Sequence, residues 1–441
     1  MPRDALPTAT LVDTFAFLTA VAGPAIAKGL IIRRPLVVGL ASRLGLDGRA
    51  IRRMQRLRDR YGAGPLMLRV PGQPRAVILS PEHVARVLEE TPDPFAADSS
   101  EKRSALAHFE PGGVLISRGA DRTDRRRYNE AVLEPDRAVH RLGSHFAAVA
   151  GEELEVLLPS VGGRLRLDWR GFAPTFGRIV RRVVLGDGAR DDELLMAQLA
   201  ALRNDANWAM ARPRRRSLRA AFLRRLENHP ARAEPGSLAA VMAGTPADAR
   251  TAPAQQVPQW LFAFDAVGLT TLRALALLAT HPIHAGRARA EAARPDRAGG
   301  TLPYLRAMFF EAVRLWPTTP LILRQTNRRT SWENGFMPSG TGVVVYAPFF
   351  HRDDSRLPYA DRLTPELWMD QRRREWPLVP FSRGPASCPG RELAALLGSV
   401  MLSRLIRGGP VRLVDGPRLG PTGRLPASLD PFTLRFELAA P

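Results

Sequence analysis

Residues 377–402 read PLVPFSRGPASCPGRELAALLGSVML and contain Cys388, the only cysteine of the 441-residue chain. A single cysteine cannot form an intrachain disulfide or a zinc site built from several thiolates. A turn rich in glycine and proline precedes an apolar run with helical spacing, which predicts that Cys388 lies at a helix N-terminus. Unpaired backbone N–H groups and the helix dipole lower the pKa of a thiol there. Unless it is inert, Cys388 is therefore predicted to be a metal ligand or a nucleophile.

The residues around the cysteine narrow this choice. Phe381, Gly384 and Gly390 give the spacing Phe-x-x-Gly-x-x-x-Cys-x-Gly, which resembles the cysteine loop of the cytochrome P450 family. The resemblance implies that Cys388 is the thiolate ligand of haem iron. It also implies that Phe381 packs beside the sulfur and that Gly384 lets the backbone approach the porphyrin. The family usually has Arg or His two residues before the cysteine, to reach a haem propionate, and Ala386 stands there.

A second motif lies upstream, in residues 301–320, TLPYLRAMFFEAVRLWPTTP. Glu311 and Arg314 are three residues apart and can pair on one helix face. They resemble the Glu-x-x-Arg pair of the family, whose role is structural. The later segment YADRLTPELW resembles the arginine-bearing segment that completes this network, but Leu367 stands at the arginine position. The third partner is either missing or supplied by another residue, such as Arg362.

Three arginines resemble the residues that hold the haem propionates in this family. Arg122 and Arg126 lie in SRGADRTDRRRYNEAVL, which resembles the C-helix, and Arg324 follows the Glu-x-x-Arg helix. Arginine suits this role because its planar guanidinium group binds carboxylates in a bidentate manner. The resemblance therefore implies that these residues bind the cofactor.

The apolar segment AQQVPQWLFAFDAVGLTTLRALALLATHP, residues 254–282, resembles the distal helix, where the family commonly has an acid followed by threonine. One alignment gives Asp265 as the acid and Ala266 in place of the alcohol; the other gives Leu269 and Thr270. Counting back from the terminal His-Pro pair at 3.6 residues per turn favours Asp265 and Ala266. Proton delivery then needs ordered water, a substrate hydroxyl or Asp265 itself.

The pattern of elements predicts a mainly α fold with a minor β part in a single large domain, and the resemblance implies that this domain is cytochrome P450-like. Residues 65–80 alternate around a Pro-Gly turn, as in a β-hairpin, and Ser80 is placed to cap a helix that begins at Pro81. A second β-rich zone runs from 321 to 346. We expect residues 1–60 to form a helical segment packed on or near the main domain, and residues 61–441 to form the haem-thiolate catalytic domain.

The net charge of +21 comes almost entirely from arginine, since Lys28 and Lys102 are the only lysines. The densest cluster, from Arg212 to Leu226, is interpreted as a solvated helix face, and nucleic-acid binding is not expected. No ferredoxin-type cysteine set and no flavin or nicotinamide motif is present. Electrons are therefore expected from a separate donor, such as an acidic ferredoxin and its reductase. The apolar stretch at residues 14–35 is interpreted as a packed helix, with peripheral membrane contact as the alternative.

These observations predict a cytoplasmic, bacterial-type haem-thiolate monooxygenase that acts on an organic, mainly apolar small molecule. One alternative is a haem protein with other chemistry: a peroxide-driven oxygenase, an isomerase or dehydratase, or a ligand-binding protein. A Cys-His hydrolase or transferase and a basic nucleic-acid binder are further alternatives. The His-Arg-Asp string at residues 351–353 lacks the companions of a kinase loop, and His281 and His284 are interpreted as residues of a helix-end turn rather than metal ligands.

Overall fold

The computed structural model describes residues 5–158, 164–294, 301–369, 378–417 and 419–439. The chain is 54% helical and 9% strand in a single domain, which confirms the predicted mainly α class. The α-helices are α1 Leu11–Phe17, α2 Gly23–Ala27, α3 Pro35–Arg43, α4 Leu46–Tyr61, α5 Pro81–Glu89, α6 Ser100–Leu106, α7 Gly119–Leu133, α8 Gly143–Leu157, α9 Trp169–Leu185, α10 Glu193–Ala206, α11 Arg216–Glu227, α12 Leu238–Ala243, α13 Val257–Thr280, α14 Pro282–Ala292, α15 Pro303–Leu315, α16 Ala347–His351 and α17 Arg391–Ile406.

The strands form three small sheets. They are β1 Leu66–Leu68, β2 Arg75–Val77, β3 Phe95–Ala96, β4 Arg164–Leu167, β5 Leu321–Thr326, β6 Thr330–Trp332, β7 Gly335–Met337, β8 Gly342–Tyr346, β9 Val411–Asp415 and β10 Arg435–Ala439. The largest sheet has the order β1-β2-β8-β5-β3, in which only β2 and β8 are parallel. The others pair β4 with β10 and β9, and β6 with β7.

Local predictions from the sequence agree with these elements. β1 and β2 form the antiparallel hairpin expected in residues 65–80. The hydroxyl of Ser80 accepts a hydrogen bond from the backbone N–H of His83, so it caps α5, which begins at Pro81. The β-rich zone expected from 321 to 346 contains β5 to β8.

Helix α13 runs through the main helical core, where it contacts α9, α15 and α17. Of the described helices, α13 with the turn before it is the one long and apolar enough to cross a membrane, but 72% of that apolar window is buried inside the protein. Burial by other helices satisfies its apolar surface, so we assign it as a core helix. It ends at Thr280, directly before the His-Pro pair used to align it, and Pro282 begins α14.

Candidate haem-thiolate site

The cysteine loop is closed by its own backbone. The N–H of Cys388 donates to the carbonyl of Phe381 at 2.9 Å, and that of Ser387 donates to the carbonyl of Gly384 at 2.9 Å. Helix α17 begins at Arg391, three residues after the cysteine, with Gly390 as its N-cap. Cys388 therefore lies in the turn that leads into the helix.

The expected low thiol pKa is not what the isolated loop produces. Burial raises the pKa of the Cys388 thiol, and this outweighs the hydrogen bond from the Gly390 backbone and the positive charges of Arg126 and Arg391, which all lower it. The expectation considered the helix N-terminus and neglected the cost of burying a thiolate. Because burial disfavours the thiolate, a further cation is needed to stabilise it, and a metal ion bound to the sulfur would supply one.

Gly384, Gly390 and Phe381 of the cysteine loop differ in what they contact. Gly384 adopts a left-handed φ of +68°, and a Cβ there would lie 2.9 Å from the Cα of Glu89 and closer still to the carbonyl of Leu88. The close approach seen here is thus to the end of α5, a role that the sequence did not predict. A Cβ at Gly390 would meet nothing within 4 Å. Phe381 packs edge-on against Phe310, with ring centroids 5.7 Å apart.

The two predicted arginines of α7 lie one turn apart. Arg126 contacts the cysteine loop directly, since its Nη1 donates to the carbonyl of Ser387 at 2.6 Å while its Nε donates to Glu130 at 2.6 Å. Arg122 is buried, and its Nε has no hydrogen-bond partner among the described residues. A buried, unpartnered guanidinium N–H is costly, which indicates that Arg122 serves a group outside the chain.

Arg324 and Lys102 complete a cationic cluster with Arg122. Arg324 is buried on β5, where its Nε donates to Thr91 Oγ1 at 3.0 Å, and burial together with the charge of Arg122 lowers its pKa to about 10. Burial, then Arg324 and Arg122, lower the pKa of Lys102 to about 7. Asp98 and Glu101 are the nearby carboxylates; Asp98 pairs with Arg103 and Arg118, and Glu101 pairs with Arg75. No role was predicted for Lys102, although it is one of only two lysines in an arginine-rich chain.

Behind the loop, Glu311 and Arg314 form a fully buried bidentate ion pair. Arg314 Nη2 and Nε lie 2.6 and 2.8 Å from the two carboxylate oxygens of Glu311. Arg314 also donates to the carbonyls of His351, Ala360 and Arg362. These contacts fit the structural role implied by the resemblance, because the pair joins α15 to the segment after α16.

The missing arginine of this network is replaced by other donors. Glu311 accepts hydrogen bonds from the backbone N–H of Thr364 at 2.8 Å and from Trp368 Nε1 at 2.9 Å. Arg362 contributes its carbonyl rather than its guanidinium group, so the suggestion that its side chain replaces the arginine at Leu367 is not supported. The indole of Trp368, one residue after Leu367, thus donates to Glu311 where the family has an arginine.

On α13, the carboxylate of Asp265 lies 2.7 Å from Nη2 of Arg203 on α10. Ala266 follows and carries no hydroxyl, and both residues are only partly buried on a helix that is mostly buried. Thr270 and Thr271 are buried, and Thr271 Oγ1 donates to the carbonyl of Val267 one turn back. The sequence offered no sign of Arg203, because α10 lies about 60 residues away along the chain.

A second carboxyl near this helix was also missed. Glu110 is fully buried, and burial raises its pKa well above the usual range, against the charge of Arg203. The amide of Gln259 on α13 is oriented with its nitrogen toward Glu110. This nitrogen donates to the two carboxyl oxygens of Glu110 at 2.8 and 3.1 Å. Glu110 is therefore a buried acid beside α13 that retains its proton more readily than an ordinary glutamate.

The histidine motifs set aside above are structural. His351 Nδ1 lies 3.2 Å from the carbonyl of Arg314, and its Nε2 accepts from the N–H of Val379. His281 contacts the carbonyl of Leu277, and His284 contacts the hydroxyl of Tyr304. No group of three or more potential metal-ligating His, Cys, Asp or Glu side chains occurs in the described ranges.

Comparison with known proteins shows which family the segment around the cysteine loop resembles. Residues 256–409 match the sequence profile of the family described as Cytochrome P450. This stretch, which includes α13, α15 and the cysteine loop, is therefore similar to the cytochrome P450 family. Cytochrome P450 4g1 of Drosophila melanogaster is 33% identical over 119 residues, which are 26% of this chain and 21% of that protein. The chain thus spans about a fifth of the length of the curated relatives it matches first.

Solved structures extend the likeness to nearly the whole fold. CYP175A1 from Thermus thermophilus superposes with a TM-score of 0.66 at 19% identity, over 89% of this chain and 96% of that one. A zebra fish cytochrome P450 solved with abiraterone gives 0.67 at 19% identity, over 87% and 97%. At this identity the likeness establishes the fold alone, which confirms the expected cytochrome P450-like domain.

The cofactor of the family is haem, and the residues present fit it. Haem carries two propionates, and the cluster of Arg122, Arg324 and Lys102 supplies three cations whose neighbouring carboxylates, Asp98 and Glu101, already pair with other arginines. The unpartnered Nε of buried Arg122 lacks the kind of acceptor that a propionate provides. Cys388 offers one sulfur, and a bound metal ion would favour its thiolate form, whose pKa burial otherwise raises.

Proposed function

We propose that this protein is a haem-thiolate monooxygenase that inserts one oxygen atom from O₂ into an organic, mainly apolar small molecule. The observation that carries the proposal is the combination of Cys388, in the turn that leads into α17, with a cationic cluster on α6, α7 and β5. Cys388 would hold the iron, and Arg122, Arg126, Arg324 and Lys102 would face the propionates. Bound haem supplies the activation of dioxygen and accepts electrons from a donor.

The residues of the chain account for ligation and proton supply. Arg126 fixes the cysteine loop through the Ser387 carbonyl, and the ion pair behind the loop braces it. On the other side, Asp265 is held by Arg203 and can exchange protons with water beside Ala266. Glu110, held beside α13 by Gln259, is a second acid that can supply a proton. Two carboxyl groups in different environments can thus take the part that a threonine hydroxyl plays elsewhere in the family.

The absence of a hydroxyl at Ala266 favours a second candidate. A haem-thiolate protein that uses peroxide, or that isomerises or dehydrates its substrate, has less need of the usual proton relay. This candidate shares the ligand Cys388 and differs in its oxidant.

The reduced carbonyl spectrum tests the ligand. Thiolate ligation gives the red-shifted Soret band of this family, and Cys388→Ala should lose it. A carbonyl spectrum of the imidazole type from folded wild-type protein would refute the assignment. Product formation with O₂ and a reducing system, compared with product formation from hydrogen peroxide alone, separates the monooxygenase from the peroxide-driven candidate.

We further propose that an acidic ferredoxin, reduced by its own reductase, binds an arginine-rich face near Cys388. Arg383 and Arg391 flank the cysteine loop with 50 and 36% of their side chains exposed, and they pair with Glu89 and Glu392, respectively. The net charge of +21 adds a long-range attraction for an acidic partner. Nucleic acid is not proposed as a partner.

Peripheral membrane contact through the N-terminus is proposed for a cytoplasmic, bacterial-type protein. Leu11, Val12, Phe15 and Leu36 expose between 66 and 90% of their surface, and Met210, after α10, is 97% exposed. The α10–α11 loop lies beside this segment, since Asn207 bonds the backbone of residues 31 and 32. Co-sedimentation with liposomes, compared for wild type and Phe15→Ser, tests this contact.

A further inference from the structure

A cavity lies apart from the cationic cluster described above, whose residues do not line it. Its walls come from the N-terminal segment, the C-terminal half of α13, the end of α15 and the loop at residues 427–432. The charged residues that line it are Lys28, Arg33, Asp47, Arg273 and Asp430. Nothing in the proposed function uses this space.

The two arginines of the cavity bind only backbone carbonyls among the described residues. Arg273 donates through Nε and Nη2 to the carbonyl of Leu429, at 3.1 and 2.9 Å, and through Nη1 to that of Trp316 at 3.0 Å. Arg33 donates to the carbonyls of Gly29 and Thr318. Since a guanidinium group has five N–H donors, each arginine keeps donors for a further acceptor.

The two carboxylates nearby offset only part of the positive charge, since Asp47 acts on both arginines and Asp430 on Arg273. Asp47 is engaged by Lys28 Nζ at 2.5 Å and by Ser428 Oγ at 2.6 Å. Asp430 accepts from the N–H of Phe432 at 3.0 Å, and burial raises its pKa. The lining thus contains three cations and two carboxylates, so positive charge is in excess. Burial lowers the pKa of Arg33 to about 10, and burial together with the charge of Arg33 lowers that of Arg273 to about 10.

We infer that this cavity binds the carboxylate of a small organic acid, with Arg33 and Arg273 as its ligands. Two adjacent guanidinium groups suit the two oxygens of a carboxylate. The walls also present Leu269, Trp316 and Phe432, and these cover an apolar body better than they cover a bare inorganic anion. Arg273 lies seven residues after Ala266 on α13, about 10 Å along the helix, and Arg122, Arg324 and Lys102 are not among the residues that line the cavity.

Calorimetric titration of the holoprotein with octanoate tests this inference. Octanoate should bind the wild type, and the neutral analogue octanol should bind much more weakly. Arg33→Gln and Arg273→Lys should each weaken octanoate binding about tenfold or more, since each removes or misplaces a charge-assisted hydrogen bond. Arg49→Gln, which removes an exposed arginine of α4, should leave it unchanged. Arg273→Lys keeps the charge, and Arg33→Gln provides a second variant should the α13 substitution impair folding.

Two further measurements, the binding of inorganic phosphate and the absorption spectrum of the octanoate complex, distinguish the possible outcomes. Octanoate binding that shifts the Soret band identifies the acid as a ligand reaching the haem pocket, whereas binding without a shift identifies a separate effector site; both support the inference. Equal octanoate affinity in wild type, Arg33→Gln and Arg273→Lys would overturn it. Arginine-dependent binding of phosphate with no binding of octanoate would also overturn it. The calorimetric result does not depend on turnover, so failure of the proposed monooxygenase would be seen separately.

Discussion

Arg203 binds the carboxylate of Asp265 at 2.7 Å and thereby ties α10 to α13 beside Ala266. Arg203 is itself fixed, because its Nη2 also donates to the carbonyl of Ile31 at 3.0 Å and its guanidinium group lies 4.6 Å from the ring centre of Phe262. The acid that precedes the missing threonine is thus oriented by a rigid cation. We therefore expect this carboxylate, rather than a hydroxyl of the helix, to handle protons.

Asp265→Asn should reduce O₂-dependent turnover about 100-fold, the size typical of a lost acid–base group. Thr270→Ala is the matched control on the same helix and should stay near wild type, because Thr270 is buried. The measurement is product formed per electron pair delivered, together with released peroxide. Ala266→Thr should reduce peroxide release. A large loss in Thr270→Ala with Asp265→Asn unaffected would mean that the other alignment of α13 is correct.

Glu311→Gln should destabilise the protein by about 3 to 5 kcal/mol, because it leaves the buried charge of Arg314 unpaired. Urea unfolding and haem content measure the effect. Glu366→Gln breaks an exposed pair with Arg287 and should cost at most about 1 kcal/mol. If Glu311→Gln kept full haem and normal stability but lost turnover, the pair would be catalytic rather than structural.

Stability should fall below pH 6.5 through His351. Burial, with the charge of Arg314, lowers the pKa of His351 to about 3. Between pH 6.5 and 3 the unfolded state binds the proton that the folded state refuses, so the free energy of unfolding falls by about 1.4 kcal/mol per pH unit. Protonation would turn Nε2 into a donor facing the N–H of Val379. The slope should be smaller in His351→Gln, measured by urea unfolding from pH 7 to 5; an identical slope would contradict the assignment.

Reduction by an acidic ferredoxin should slow steeply as salt is raised, because screening shortens the reach of the positive field. Arg383→Gln and Arg391→Gln should lower the rate at low salt and flatten its salt dependence. Arg412→Gln removes an exposed arginine of β9 and serves as the control. Stopped-flow reduction measures these rates. A reduction rate that does not change with salt would show that the positive charge does not serve to attract the electron donor.

The sequence predicted the elements whose signals are local. Ser80 and Pro81 began a helix as expected, and the Glu311–Arg314 pair is readable from spacing alone. Contacts between distant segments left no such signal. Trp368 completes the network where an arginine was sought, and Arg203 reaches Asp265 from another helix. The pKa of Cys388 was misjudged for the same reason, because burial is set by the whole fold rather than by the local turn.

We propose that Lys102 replaces the propionate ligand that Ala386 does not provide. Its Nζ donates to the carbonyl of Ala97 at 2.8 Å, and the charges of Arg324 and Arg122 help burial to lower its pKa to about 7. A propionate beside these three cations would favour the protonated lysine. The prediction is that Lys102 contributes to haem retention rather than to the chemistry of oxidation.

Lys102→Met should therefore speed haem transfer to apomyoglobin about tenfold, the size expected for one charge-assisted hydrogen bond, and Lys102→Arg should restore slow transfer. Lys28→Met, a change of the other lysine, which pairs with Asp47, should leave the rate unchanged. A control uses haem whose propionates are methyl esters. It distinguishes the loss of a contact with a propionate carboxylate from a general destabilisation of the protein. If the contact is to a propionate, esterified haem should leave wild type and Lys102→Met at equal rates. A tenfold difference that persists with the ester would mean that Lys102 supports the fold instead.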